Sequence, residues 1–258
     1  MLSAIPQIFA TMLAVYSVAV TPQEWVKAYT ARGGVALFDE KGGLLSVAPG
    51  RGIAPWGILY PKGVGEIALV GTGVRNSHVS TILSWPGVEI LYLPDCTGID
   101  DTVFPILKAS GLREIHMHDV QVTAAGISRL SGSKTIRQIN IATSDEKSAA
   151  DLKLTDMAEL ELLSLLNFNM TSVILSDLPN LRGMFQSSDL IHPELLRRAE
   201  FSNLPELPDV NFAWAPLDKL TVEKCKSLEQ IKVKKAKLSA DDIAALTRNN
   251  PKLKIIRK

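Results

Sequence analysis

Cysteine is nearly absent from this chain. Cys96 and Cys225 are the only two in 258 residues, which excludes a disulfide framework. Histidine is scarce as well: His78, His116, His118 and His192 are too few and too scattered for a metal-rich protein. Neither charge sign is in excess, with 28 Lys and Arg against 27 Asp and Glu, so net charge gives no reason to expect a nucleic acid partner. The uncharged run from Ile5 to Val20 is shorter than the ~20 apolar residues a membrane span needs. It suits the apolar region of an export signal cut after Ala19, although no Lys or Arg occurs among Met1–Ala4. An uncleaved anchor and a buried helix are the alternatives. No Ser-His-Asp or Cys-His arrangement with supporting context is present. "VGTGVRNS", Val70–Ser77, has a G-x-G but neither a third glycine nor a following Lys-Ser, so it reads as a turn.

What is present is a period. Hydrophobic residues make up 46% of the chain, enough for a substantial core, and they recur as apolar-x-x-apolar-x-apolar. The triplets are Val64, Ile67, Leu69; Val88, Leu91, Leu93; Leu112, Ile115, Met117; Ile136, Ile139, Ile141; and Leu160, Leu163, Leu165. Their starts, Val64, Val88, Leu112, Ile136 and Leu160, are evenly spaced. Later in each unit come Val79 and Ile82, Val103 and Ile106, Ile127 and Leu130, three residues apart as on the inner face of a short helix. Thr123 before "AAGISRL" is suited to cap one of them. Each unit therefore reads as strand, turn, helix and return. Neither apolar face is buried alone, and stacking the units closes one core. After Leu160 the spacings shrink. Triplets start at Leu181, Leu196, Leu217, Leu228 and Leu253, and the short gaps from Leu181 to Leu196 and from Leu217 to Leu228 predict tight turns in place of helices. A last helix is expected with Ser239 as N-cap, Asp241 and Asp242 in its first turn, and Asn250-Pro251 as its stop.

"VEILYLPDCTGIDDTVFPILKASG", Val88–Gly111, and "LREIHMHDVQVTAAGISRLSGSKT", Leu112–Thr135, resemble leucine-rich repeats of bacterial type. The first is similar to the cysteine-containing, ribonuclease-inhibitor-like variety. "GGVALFDEKGGLL", Gly33–Leu45, is similar to the segment that often precedes such repeats. The resemblance implies an α/β fold: a right-handed solenoid with a parallel concave β-sheet and short helices or turns on the convex side. It implies three regions: 1–20 as signal peptide or anchor, 21–63 as N-terminal cap, and 64–258 as the repeat domain. Cys96 and Cys225 each lie eight residues after a triplet start, at the turn where this family carries Asn, Cys or Thr, so both are expected to point inward.

"LREIHMHDV" then becomes a strand. Alternate side chains share a face. With Leu112, Ile115 and Met117 inward, Glu114, His116 and His118 project together from the concave sheet. In a parallel stack Tyr92 and Asn140 flank His116, and Pro94 and Ala142 flank His118. The same face continues through Leu162, Ser164, Leu166 and Phe185 to a basic end at Lys219, Gln230, Lys232, Lys234, Ile255 and Arg257. The expected function is non-catalytic protein binding, with Tyr92, Glu114, His116, His118, Asn140, Leu166 and Phe185 as contacts and no cofactor. Two alternatives stand beside it. One is an envelope or structural protein that assembles through its C-terminal strand. The other is a metal-dependent hydrolase using His116 and His118, for which zinc wants three protein ligands and an open position. Nucleic acid is not expected, and a membrane is met only through an uncleaved N-terminal segment. The expected location is extracytoplasmic or membrane-anchored, with the cytoplasm as alternative.

Overall fold

In the computed structural model, the structure describes residues 35–38, 44–48, 58–63, 66–70, 74–84, 87–145 and 148–257. The export signal over 1–20, the segment 21–34 and the Thr72 turn lie outside them. Strands β1 (Val35–Phe38) and β2 (Leu44–Ala48) pair antiparallel. Strand β3 (Ile58–Gly63) pairs antiparallel with β4 (Glu66–Val70). From there the chain is α/β with parallel sheets and few helices. Each early unit carries one strand and one short helix: β4 is followed by α1 (Asn76–Leu83), β5 (Ile90–Leu93) by α2 (Phe104–Ala109), and β6 (Glu114–Val120) by α3 (Ala124–Ser128).

From β7 (Gln138–Thr143) onward the returns change character. They contain strands: β8 (Ala150–Thr155), β10 (Met170–Ser176), β12 (Arg198–Ser202) and β14 (Lys219–Glu223). These alternate along the chain with β9 (Leu162–Leu166), β11 (Gly183–Met184), β13 (Asp209–Asn211) and β15 (Gln230–Lys232). Helix α4 (Ala240–Asn249) and β16 (Lys254–Ile256) follow. One layer is a seven-stranded sheet in the order β11-β9-β7-β6-β5-β4-β3, followed by a three-stranded sheet β13-β15-β16. The other holds the helices and a second parallel sheet, β14-β12-β10-β8, with α3 beside β8 and α4 beside β14.

The spacings now have a physical reading. Evenly spaced starts mark successive strands of one layer, as for Leu112, Ile136 and Leu160. The shorter gaps, from Leu181 to Leu196 and from Leu217 to Leu228, mark a crossing between layers. The expectation of tight turns is therefore corrected. Leu196, Ala199 and Phe201 belong to β12 and its approach, and Leu217, Leu220 and Val222 to β14 and its approach, in the second sheet. The triplets Met170, Val173, Leu175 and Leu207, Val210, Phe212 are further buried strands of the same pattern. A short strand satisfies its backbone on neighbours above and below it, where so few residues cannot make a stable helix.

The interior row is regular. Leu93, Met117, Ile141 and Leu165 are paired in register and all are 0% exposed. They share one continuous buried cluster with Val79, Ile127, Leu152, Val173, Phe201 and Ile231. Helix α2 is turned from expectation: Phe104 and Leu107 are fully buried while Ile106 is half-buried, because the helix starts around Pro105 after a turn at Asp101–Val103. Two expected caps are present. Thr123 accepts from the Gly126 N–H at 3.1 Å, and Ser239 and Asp242 form a reciprocal capping box on α4.

Strand ends share one conformation. Asp95, Asp119, Asp156, Asn167, Asp177, Asn203 and Lys224 all have φ between 54° and 64°. Each lies two residues after an inward side chain, at the end of its strand except for Asp119 at the β6 bulge, as Asp177 follows Leu175 and Asn203 follows Phe201. Asx side chains tolerate this left-handed geometry and a lysine does not gain from it. Both cysteines sit just past such a residue. Cys96 and Cys225 are free thiols, buried, and donate to the carbonyls of Leu69 and Pro94 and of Glu223 respectively. Burial pushes the Cys225 thiol pKa up.

Candidate functional site

The outer face of the seven-stranded sheet is built by strand alternation. Register places Tyr92, His116, Asn140 and Ser164 in one row, and Ile90, Glu114, Gln138, Leu162 and Gly183 in the next. The Tyr92 and His116 rings stack at 4.6 Å between centroids and 11° between planes. His116 Nε2 lies 3.2 Å from Glu114 Oε2, with the His116 side chain 13% exposed. The three side chains hold one another: the stack fixes the imidazole plane and the carboxylate fixes its edge. Among the described residues no group of three or more His, Cys, Asp or Glu side chains is disposed to hold a metal ion.

Four expectations for this face are corrected. His118 does not continue the His116 row. One extra residue bulges β6 after Met117, Asp119 takes φ 54°, and pairing resumes with Val120 opposite Thr143. His118 is left exposed, and Ala142 pairs with Leu166. Phe185 does not project outward. Strand β11 ends at Met184, the chain turns, and Phe185 is 2% exposed with its ring 6.4 Å from that of Phe212. Burying a phenyl group is worth about 1.5–3 kcal/mol, which a two-residue strand cannot oppose. Lys219 belongs to the second sheet, where the Glu200 carboxylate holds it at 3.1 Å and also holds Arg198 at 2.8 Å. At the far end, Ile255 pairs with inward Ile231 and packs on the core, so Lys254 and Ile256 alternate with it.

The structure does bring Tyr92, Glu114, His116 and Asn140 together in adjacent strands. Leu166 stands apart on β9. It and Leu162 are 36% and 38% exposed on the outer face. Gly183 leaves the next position flat: a Cβ there would come within 2.9 Å of Leu162 Cδ2. Two further residues emerge at the turns. Trp214 is 50% exposed in the turn after β13, and Lys235 Nζ lies 5.0 Å from its ring centre. Neither lies on a strand, so alternation gives no hint of them; the sequence cues are a tryptophan near Pro205, Pro208 and Pro216 and the crowding of basic residues, Lys235 among them, into 224–258.

Comparison with protein-family models and with curated proteins gives no match. Among the described residues, no helix is long and apolar enough to cross a membrane.

Proposed function

We propose that this chain is a right-handed leucine-rich repeat solenoid that binds a protein partner, without catalysis, through the outer face of its seven-stranded sheet. The fold supports the solenoid reading with parallel, in-register strands recurring at a constant interval, and with cysteines turned into the strand-end bends. The observation that carries the binding role is the pair of exposed leucines, Leu162 and Leu166, on a regular strand within a hydrogen-bonded sheet. Large apolar side chains there are available for contact on a rigid frame, so little ordering entropy opposes association. The Tyr92–His116 stack is a second, aromatic anchor on the same face. Alanine at Leu166 and at Tyr92 should each weaken a captured partner by about 1 kcal/mol or more. Unchanged affinity in both variants rejects this face as the binding surface.

A second reading has its own observation. Among the described residues, strand β16 pairs on one side, with β15, so its other edge offers backbone groups to another chain. Assembly through that edge requires a stable oligomer, which light scattering detects.

A further inference from the structure

Near-neutral overall charge conceals a strong division. Residues 1–223 carry 17 Lys and Arg against 24 Asp and Glu, whereas residues 224–258 carry 11 against three. The division persists in the contacts. The ion pairs among the described residues all lie at or before Lys219, and none of the described basic residues from Lys224 to Arg257 joins one. On the second sheet the charged groups answer one another: Glu200 takes Arg198 and Lys219, Asp177 accepts from Asn203, and Asp151 accepts from Thr171 and Ser172. The lysines after β15 form no ion pair among the described residues, although Lys235 is close enough to the Glu194 carboxylate to act on it. Beside them stands Trp214, half exposed, on a turn whose backbone is anchored where the Trp214 N–H donates at 3.1 Å to the hydroxyl of the fully buried Ser187. Lys235 lies over its ring, and Lys232 and Lys234 are on the same strand or its end. The nearby Glu194 is already engaged by His192 at 2.9 Å.

The geometry points to this rim, Trp214 with Lys232, Lys234 and Lys235, as the docking site for an acidic segment of a protein partner that also carries an apolar side chain. The inference rests on the reading that the chain binds protein, and adds where and with what chemistry. Charge complementarity selects the occupant. Lysines outside any ion pair, Lys232 and Lys234 above all, attract carboxylates, and the half-exposed Trp214 indole beside them offers an apolar seat. A bilayer surface is the poorer match, because the Glu194 carboxylate close to Lys235 would repel anionic headgroups. Nucleic acid is poorer still, because one indole does not make the row of aromatic platforms that bases stack on.

The test uses the full chain and a fluorescein-labelled peptide in which glutamates alternate with leucines, followed by anisotropy. Binding is expected, weakening as salt is raised. Trp214→Ala, and separately Lys235→Gln with Lys234→Gln, should each weaken it about tenfold, while Lys153→Gln on the second sheet leaves it unchanged. A glutamate–serine peptide should bind much more weakly. The proposal is overturned by no binding, by equal binding of the serine peptide, or by insensitivity to Trp214→Ala. It is also overturned if phosphatidylserine vesicles, or a second copy of the chain seen by light scattering, occupy the rim with the same Trp214 dependence and the peptide does not. Tyr92→Ala and Leu166→Ala should not alter peptide binding. Failure of the sheet-face reading and failure of this one are thus separable.

Discussion

Gly126→Ala tests how the stacked units are locked together. Gly126 lies in α3, where alanine alone would add up to about 1 kcal/mol of helix stability. A Cβ at this position, however, would run into the carboxylate of Asp101 from the preceding unit. That carboxylate accepts from the Thr123 N–H at 2.8 Å and from the Thr123 hydroxyl at 2.7 Å, and Thr123 in turn caps α3. Hydrogen bonds to a charged acceptor contribute about 1.5 kcal/mol each at the lower end of their range. Losing both costs about 3 kcal/mol, and the helix gain offsets about 1, leaving a net destabilisation of about 2 kcal/mol. Urea unfolding read by circular dichroism measures it. The decisive step is a double-mutant cycle with Asp101→Ala. Once the carboxylate is gone, Gly126→Ala should be neutral or slightly stabilising. A single variant as stable as the parent, to within about 0.5 kcal/mol, or strictly additive variants, would show that Asp101 and Gly126 are not in conflict.

Other consequences follow from the same frame. Lys224 holds φ 55° at a position filled elsewhere by Asp or Asn, so Lys224→Asn should raise stability by roughly 1 kcal/mol in urea titration; a loss would refute the strain argument. Phe201 is fully buried and stacked on Phe212 at 6.0 Å, so Phe201→Ala should cost about 3–5 kcal/mol by the same assay, more than any exposed substitution on the outer sheet. Burial, then the charge of Arg75, lowers the His78 pKa below its usual 6.5. The unfolded chain therefore binds this proton first, and stability should fall as pH drops below about 6.5, a slope that His78→Gln should flatten. Hydrogen bonds from Thr171 and then Ser172 lower the Asp151 pKa. Its contribution is present above the ordinary carboxylate range and is lost as pH falls through the lowered value, so Asp151→Asn should blunt the acid limb of the stability profile.

Much of the architecture is legible from residue spacing. The triplets through Leu165 identify the inward row, and strand alternation then puts Tyr92, His116 and Asn140 in adjacent positions. Caps at Thr123 and Ser239 are readable because a side-chain oxygen before an amphipathic run has one local use. The site is less legible. His118 is displaced by a bulge that no pattern in "IHMHDV" announces, since Asp119 tolerates either backbone region. Phe185 is misassigned because a single-residue slip exchanges the faces of a strand. Leu162 and Leu166 are legible despite being apolar, because alternation with the inward Leu163 and Leu165 already puts them on the outer face, where they are exposed.

The sequence by itself determined which residues face the core in the regular strands β5, β6, β7 and β9, and that these strands would lie in register, because both depend on a period of two and a constant repeat length. Tertiary structure alone decided which layer each strand joins. An apolar triplet buries itself equally well from either side of one core, so β12 and β14 look in sequence like β9 while pairing in another sheet. It also decided what meets at the turns. Trp214 and Lys235 are distant in sequence and on no common periodicity, and they come together because successive turns stack at the spacing of their strands.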